Sequence, residues 1–144
     1  MNSVHILLIE DNTGDVLLIK DAFEDAKINS EIHAVDNGEK AVQFLKREGQ
    51  YADSVEPDLI ILDINLPRLN GHEVLQFIKS SEKYCHIPVI MFTTSSTDKD
   101  IVESYREHAN CYITKPVEVD EFIEAIAKIE EFWLNLVKLP GVAV

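Results

Sequence analysis

Cysteine and positive charge are both scarce in this chain, and each scarcity argues against a class of protein. Only two of the 144 residues are cysteines, Cys85 and Cys111, and they form no CxxC spacing. We therefore expect two free, reduced thiols rather than a disulfide scaffold or a cysteine metal site. The 13 Lys and Arg residues stand against 26 Asp and Glu residues, which gives a formal net charge of -13. Because such a surface repels nucleic-acid phosphates and anionic membranes, we expect neither as a partner.

Long apolar runs and the common nucleotide-binding motifs are also missing. The first apolar run has only about six residues before Glu10, which is too short for a signal peptide or a membrane span, so we expect a cytoplasmic protein. No P-loop pattern and no GxGxxG pattern occurs. The histidines have no metal-ligand spacing, and we expect each to be structural or exposed: His5, His33, His72, His86 and His108.

The apolar residues that are present alternate between strand-like and helix-like patterns. With 144 residues, 46% of them hydrophobic, the chain is long enough for one domain with its own core. The periodicity predicts strands at 4–9, 31–36, 58–62, 88–92 and 111–114. It predicts helices at 14–27, 38–48, 71–80, 98–108 and 118–136.

Alternating strands and helices predict a doubly wound, parallel α/β sheet. Three strands are continuous apolar runs, as expected for strands that helices cover on both faces. The second strand, 31–35, is more polar and alternates, which suits an edge. We favour the strand order 2-1-3-4-5, because it places strands one and three side by side and brings together the acids that follow them.

Four of the strands end on polar groups suited to phosphoryl chemistry. The first strand is followed by Glu10 and Asp11, the third by Asp63, the fourth by Thr93 and the fifth by Lys115. Ligands of parallel α/β sheets bind at the carboxyl ends of the strands. We therefore expect three acids, one hydroxyl and one ammonium to meet in a single cleft.

The three acids predict a magnesium site. Clustered carboxylates repel one another, and a divalent cation relieves the repulsion. Magnesium prefers few carboxylates, several waters and phosphate oxygens. We predict that Asp11, Asp63 and the backbone carbonyl of Asn65 bind Mg2+ directly and that Glu10 acts through a water molecule.

Asp63 is the candidate nucleophile of this cleft. A carboxylate at a strand end can attack phosphorus and form an acyl phosphate. The Lys115 ammonium is expected to pair with Asp63 and then with phosphoryl oxygens, to which the Thr93 hydroxyl also donates. The Lys115–Pro116 bond is a candidate cis peptide. Tyr112 is either a half-buried strand aromatic or a residue that moves when the site is occupied.

Taken in order, these residues resemble the receiver domain of a two-component response regulator. The resemblance rests on Glu10-Asp11, Asp63 with its Leu-Pro-x-x-x-Gly loop, Thr93-Thr94 and Tyr112-x-x-Lys115-Pro116. It implies the (βα)5 flavodoxin-like fold and a phosphorelay protein that catalyses only its own phosphoryl transfer and dephosphorylation. It also implies that Asp63 accepts a phosphoryl group from a sensor histidine kinase, that Thr93 moves toward it and that Tyr112 rotates inward.

The last third of the chain carries a closer resemblance. Residues 104–112, and Phe132-Trp133-Leu134 with Leu139-Pro140, are similar to the small response regulators that partner bacterial, cyanobacterial-type phytochromes. This implies a phytochrome kinase as partner and a homodimer. We assign 1–130 to the receiver domain and 131–144 to a C-terminal extension and tail, with a dimer contact at Phe132 and Trp133. Because no output domain follows Pro140, we expect signalling by protein contact.

Two other functions remain open at this point. An aspartate-nucleophile phosphatase of the haloacid dehalogenase type uses a second Asp two residues after the nucleophile, where this chain has Asn65. It also needs room for a cap domain. A receiver-like binding module that never takes up phosphate has usually lost an acid, the acceptor or the lysine, and this chain retains all of them.

Overall fold

Five parallel strands and five α-helices alternate in the computed structural model, which describes residues 3–25 and 29–140. The strands are β1 (Val4–Ile9), β2 (Ser30–Val35), β3 (Leu59–Leu62), β4 (Val89–Thr93) and β5 (Cys111–Thr114). The helices are α1 (Thr13–Glu24), α2 (Gly38–Lys46), α3 (Gly71–Ser80), α4 (Asp98–Arg106) and α5 (Val119–Glu130). The sheet order is β2-β1-β3-β4-β5, so the predicted flavodoxin-like receiver fold is confirmed.

Strand β1 is buried on both faces, which explains its continuous apolar sequence. Leu7 and Ile9 pack into a core cluster with α2 and α3, while Ile6 and Leu8 pack into a second cluster with α1 and α5. Successive strand residues point to opposite faces, so one apolar run serves both clusters. Strand β2 lies at the edge of the sheet and is largely half-exposed, as its alternating sequence predicted.

Asparagine side chains cap the N-termini of three helices. Asn12, Asn37 and Asn70 each accept a hydrogen bond from a backbone N–H in the first turn of α1, α2 and α3. At α3 the cap is reciprocal, because the Glu73 carboxylate accepts the backbone N–H of Asn70 at 3.1 Å. These caps determine where each helix leaves the loop that follows a strand.

Three helices end earlier than predicted. Helix α2 stops at Lys46 because Arg47 adopts a left-handed conformation with φ 57°. Helix α4 stops at Arg106, and His108 has φ 69°. Helix α1 stops at Glu24, and residues 26 and 27 of the predicted helix lie outside the described residues.

The predicted last helix changes its geometry along its length. It is α-helical to Glu130 and continues as a π-helical segment, Glu131–Leu136. Residues 141–144 of the predicted tail lie outside the described residues. A short 3-10 turn, Gly49–Tyr51, lies in the loop between α2 and β3.

Several further predictions are settled by the described part of the chain. Both cysteines are free thiols, as predicted. Every peptide bond described is trans, so Lys115–Pro116, the candidate cis bond, takes the form that X–Pro bonds ordinarily favour. Within the same residues, no helix has the length and apolar character needed to cross a bilayer.

Candidate functional site

The polar groups predicted at the strand ends meet at one edge of the sheet. Strands β1 and β3 are neighbours, with Ile9 opposite Leu62, so Glu10 and Asp63 leave the sheet side by side. One carboxylate oxygen from each of Glu10, Asp11 and Asp63 lies within 4.8 Å of the others. Glu10 and Asp63 are buried and Asp11 is exposed, which leaves the cluster open to solvent on one side.

Lys115 reaches this cluster from the end of β5. Its backbone N–H donates to the Thr93 carbonyl at 2.7 Å, which holds the loop after β5 against β4. Its buried ammonium donates to Asp63 Oδ2 at 3.1 Å and also contacts the Glu10 carboxylate. The structure therefore brings Lys115 and Asp63 together, as the sequence predicted.

Asp15 is a further acid at this site that the sequence reasoning missed. It lies in the first turn of α1, and its Oδ2 accepts a hydrogen bond from the Lys115 ammonium at 2.9 Å. An acid in a first helical turn is ordinarily explained by the helix dipole, so the pattern did not point to a lysine 100 residues away. The one available signal is its place four residues after Asp11, at the same edge of the sheet.

Burial and charge together set the protonation of the cluster. Burial raises the pKa of Glu10 to about 7, with a smaller contribution from the charge of Asp63 and against the opposing hydrogen bond from Lys115. Burial alone would lower the pKa of Lys115, but its contacts with Glu10, Asp15 and Asp63 outweigh it and raise that pKa. Lys115 is therefore charged at neutral pH, whereas Glu10 takes up a proton near neutrality.

The donor atoms of the cluster fit a hard divalent cation. Four carboxylates and a single ammonium meet here, which leaves an excess of negative charge. Glu10, Asp15 and Asp63 contact Lys115, and Asp11 lies beside Glu10 and Asp63. Magnesium and manganese ions prefer oxygen ligands of this kind. The opening beside Asp11 leaves room for waters or phosphoryl oxygens to complete the coordination.

The loop after β3 packs closely against the start of α3. Asn65 is exposed, and its backbone N–H donates to Asp63 Oδ1 at 3.3 Å. The Gly71 N–H donates to the Ile64 carbonyl at 2.8 Å. A Cβ atom on residue 71 would lie 2.2 Å from the Asp63 carbonyl oxygen, so only glycine fits there. The loop thus holds the Asp63 backbone against α3.

Thr93 and Tyr112 both contact the loop between β4 and α4. Thr93 is fully buried, and its Oγ1 accepts the Ser95 N–H at 3.5 Å. Tyr112 is half-buried, and its hydroxyl donates to the Ser95 carbonyl at 2.8 Å. A movement of the Ser95 backbone would therefore change the contacts of both residues.

A second group missed by the sequence reasoning extends from this loop to α3. The Ser95 hydroxyl donates to the Asp100 carboxylate, and the other Asp100 oxygen lies 2.9 Å from His72 Nε2. The Ser95 hydrogen bond, followed by that with His72, lowers the pKa of Asp100. Asp100 therefore stays ionised and links α3, α4 and the loop. No local pattern relates His72 to Asp100, which lies 28 residues further on.

Phe132 and Trp133 lie next to each other in the π-helical segment but in different surroundings. Phe132 is 48% exposed, whereas Trp133 packs partly against the core cluster of α1 and α5. Their rings meet edge to face with centroids 5.3 Å apart. Trp133 therefore contributes to the packing of its own chain, while Phe132 and the exposed Leu136 form an apolar surface.

Comparison with known proteins identifies relatives along nearly the whole chain. Residues 6–127 match the family model described as the response regulator receiver domain. Response regulator Rcp1 of Synechocystis sp. (strain ATCC 27184 / PCC 6803 / Kazusa) is 39% identical over 136 residues, which are 94% of this chain and 92% of that protein.

Two solved structures share the fold closely. The crystal structure of the Mn(2+)-bound form of Rcp1 has a TM-score of 0.93 at 39% identity and covers 95% of this chain and 99% of the other. The phosphorylated cyanobacterial phytochrome response regulator RcpA has a TM-score of 0.94 at 42% identity and covers 96% of this chain and 99% of the other. One relative was thus solved with a divalent cation and another in a phosphorylated form.

Proposed function

The chain belongs to the response regulator receiver family, and we propose that Asp63 is the residue on which it accepts its phosphoryl group. Its function as a phosphoryl-accepting response regulator follows from the family match and from these relatives. The observation that supports Asp63 as the acceptor is its place at the end of β3, in contact with Lys115 and beside Glu10 and Asp11.

The proposed donor is a phosphohistidine on a sensor histidine kinase. A carboxylate oxygen of Asp63 attacks phosphorus, the P–N bond breaks, and its electron pair returns to the imidazole. The product is an acyl phosphate on Asp63. Hydrolysis of that acyl phosphate to the free carboxylate and inorganic phosphate is the one other reaction we propose. In both reactions the site contributes positioning of the reacting groups and neutralisation of their charge.

The proposed cation is Mg2+, held directly by Asp11, Asp63 and the Asn65 carbonyl, with Glu10 acting through water. When bound, Mg2+ supplies positive charge to the phosphoryl oxygens. The exposed Asp11 keeps the site open, while the buried Glu10 and Asp63 add charge beneath it. The Mn(2+)-bound form of the relative Rcp1 supports a divalent cation, and the all-oxygen donor set favours Mg2+.

Lys115 and Thr93 are the proposed ligands of the phosphoryl oxygens. The ammonium lies 3.1 Å from Asp63 Oδ2, so a phosphoryl group on Asp63 comes within its reach. Thr93 is the last residue of the neighbouring strand β4, and its hydroxyl donates to a phosphoryl oxygen after a short movement. Because Thr93 and Tyr112 both bond to Ser95, that movement is passed to Tyr112 and to the face of α4, β5 and α5.

The proposed partner is a phytochrome-type histidine kinase. The relative RcpA, matched over 96% of this chain, is a cyanobacterial phytochrome response regulator. We propose that transfer takes place in the cytoplasm, where a kinase has access to ATP, and that the signal leaves by protein contact. A homodimer through the surface around Phe132 is also proposed, since exposed aromatic residues often mark interfaces.

The alternative functions are not favoured. A haloacid dehalogenase-type phosphatase would need a general acid at residue 65, and Asn65 carries an amide. A binding module without phosphate chemistry would not need Asp63, Asp11 and Lys115 gathered at one strand edge.

Intact mass after incubation with acetyl phosphate and Mg2+ tests the acceptor. We expect the wild type to gain one phosphoryl group, and Asp63→Asn and the chelated wild type to gain none. Asp53→Asn, which changes an exposed aspartate in the loop before β3, is the matched control and should behave as wild type. A phosphorylated Asp63→Asn protein would place the acceptor elsewhere.

The kinase proposal has its own test, phosphotransfer from purified kinases. We expect faster transfer from a phytochrome-type histidine kinase than from an unrelated one, with no transfer to Asp63→Asn. Equal rates from both kinases would contradict the phytochrome partner without affecting Asp63.

A further inference from the structure

Two histidines and a glutamate meet near the start of β1 and β2, at the end of the sheet opposite the acid cluster. His5 of β1 lies opposite Glu31 of β2 in the parallel register. Glu31 and His33 are two residues apart on one strand, so their side chains lie on the same face. All three side chains retain contact with solvent, and Glu31 is 57% exposed.

Their donor atoms are spaced like the ligands of one small cation. His5 Nδ1 lies 3.1 Å from His33 Nε2 and 3.3 Å from Glu31 Oε2. Glu31 Oε2 lies 4.0 Å from His33 Nε2. A tetrahedral Zn2+ with bonds of about 2.0–2.1 Å to nitrogen separates its ligand atoms by about 3.3 Å. Two separations are close to this value, and the exposed Glu31 side chain is free to shorten the third.

We propose that His5, Glu31 and His33 form a binding site for a transition-metal ion of the Zn2+ class at the edge of the sheet. Two imidazoles and one carboxylate are a recurrent zinc donor set, and they leave a fourth position for water or for a ligand from another molecule. Imidazole nitrogen favours such an ion over Mg2+, which prefers oxygen.

A shared proton is the competing occupant of this site. His5 Nδ1 and His33 Nε2 lie within hydrogen-bonding distance, so the N–H of one imidazole donates to the nitrogen of the other, and the two rings are inclined by 22° with centroids 5.4 Å apart. The ion displaces this proton after a small rotation of the two half-exposed rings. Burial, followed by the neighbouring His5, lowers the pKa of His33, which keeps its nitrogen available at neutral pH.

The site is separate from the phosphoryl chemistry. His5 is the second residue of β1, whereas Glu10 follows the last residue of that strand. Five strand residues span roughly 16 Å, so the two clusters lie at opposite ends of the sheet. The proposal therefore stands or falls independently of the role of Asp63.

Zinc titration calorimetry of the untagged protein, in excess Mg2+ to occupy the acid cluster, tests the proposal. We expect one Zn2+ per chain and binding weaker by roughly tenfold or more in His5→Gln, His33→Gln and Glu31→Gln. Glu31→Gln changes only an exposed side chain, so it tests the site even if a histidine variant folds poorly. Zinc should also shift the imidazole NMR signals of His5 and His33 and raise the Tm of the wild type, but not that of the His5, Glu31 and His33 variants.

Two histidine variants are the matched controls. His86 is exposed beside one carboxylate, Glu56, and His72 lies beside Asp100 and Glu103. His86→Gln and His72→Gln should bind zinc as the wild type does. Loss of binding in His72→Gln, unchanged binding in both His33→Gln and Glu31→Gln, or no binding by the wild type would each overturn the assignment.

Discussion

Among single residues, Lys115 carries the charge balance of the unphosphorylated site. Its one buried ammonium lies within hydrogen-bonding reach of carboxylates from Glu10, Asp15 and Asp63. A phosphoryl group on Asp63 adds negative charge at the same place, so its oxygens then compete with these carboxylates for the Lys115 ammonium. Of these three carboxylates, Asp15 is the one that is neither the proposed acceptor nor a proposed metal ligand, so a change at Asp15 alters the charge without removing either.

Asp15→Asn is expected to speed phosphorylation by acetyl phosphate. Removing this charge releases Lys115 toward Asp63 and weakens the repulsion of the incoming phosphate. At saturating Mg2+ we expect a rate increase of roughly threefold to tenfold, about 1 kcal/mol in the barrier. The measurement is the time course of intact mass. Asp21→Asn, at an exposed position of the same helix, should keep the wild-type rate. A slower Asp15→Asn protein would mean that Asp15 positions Lys115 for the reaction.

Glu10 predicts a pH dependence of stability in the metal-free protein. Burial raises its pKa from 4.5 to about 7 in the folded state. Between these values the folded protein holds a proton that the unfolded chain has released, so this residue's contribution to stability is lost as the pH rises through the window. Glu10→Gln removes that dependence. We therefore expect the free energy of unfolding of Glu10→Gln to increase relative to that of the wild type from pH 5 to pH 8, by up to about 3 kcal/mol.

Urea denaturation in a chelating buffer, at several pH values, measures this difference. Glu39→Gln, at an exposed carboxylate in the first turn of α2, is the control and should show a difference that does not vary with pH. If the difference in the free energy of unfolding between wild type and Glu10→Gln does not vary with pH, the shift in the pKa of Glu10 is contradicted.

At the scale of secondary-structure elements, close approach between a helix start and a strand-end loop holds the acceptor in place. Helices α2 and α3 both begin with glycine after an asparagine cap. A Cβ atom on Gly38 would lie 2.1 Å from the Leu69 carbonyl oxygen, and one on Gly71 would lie 2.2 Å from that of Asp63. The loop after β3 is therefore pressed between two helix starts, and its backbone has little freedom.

Gly71→Ala is expected to destabilise the protein and to slow its phosphorylation. The added Cβ would meet the backbone of Asp63 and Ile64, which cannot move aside as a flexible side chain does. We expect a loss of about 2 kcal/mol or more in the free energy of unfolding, because overpacking forces backbone shifts. Denaturant titration and the acetyl phosphate time course measure the two effects.

The control for Gly71→Ala is Gly14→Ala, in the first turn of α1. Its Cβ would meet only the Asn12 side chain, at 3.3 Å. We expect this variant to stay within about 1 kcal/mol of wild type, since alanine is otherwise favoured in helices. Equal losses at both positions would indicate that the tight fit beside Asp63 has no special role.

At the scale of the whole molecule, exposed apolar residues follow the end of α5, beyond the residues 6–127 that match the receiver domain model. Phe132 and Leu136, the latter 72% exposed, line a surface cavity of about 470 Å³ in the π-helical segment. Trp133 packs partly against its own chain, so it is the less exposed of the two aromatic residues predicted at a dimer contact.

Phe132→Ala is expected to weaken the proposed homodimer. Because the Phe132 side chain is half-exposed, its removal should cost association more than folding, whereas Trp133→Ala should affect both. Sedimentation equilibrium should show a dimeric wild type and a Phe132→Ala protein with at least a tenfold larger dissociation constant, about 1.4 kcal/mol. Leu17→Ala, at an exposed apolar position on α1, is the control. A Phe132→Ala protein that associates as the wild type does would place the contact elsewhere.

Much of the fold was predictable because its signals are local. The apolar runs of β1, β3 and β4 and the polar alternation of β2 predicted which strands are buried and which lies at the edge. The ends of α2 and α4 were not predictable, since the left-handed conformations of Arg47 and His108, which follow these helices, leave no clear pattern at non-glycine residues. The acids at the strand ends were predictable because parallel strands deliver their carboxyl ends to one edge.

The tertiary structure alone decided the contacts that depend on strand register and on side-chain direction. Periodicity placed Glu10, Asp63 and Lys115 at one edge, but it could not show that Asp15 shares the lysine, 100 residues away. It treated His5 and His33 as isolated, because they lie 28 residues apart and meet only through the pairing of β1 with β2. A sequence pattern specifies which face a residue takes within its own element, whereas distances between elements arise only when the strands pair and the helices pack.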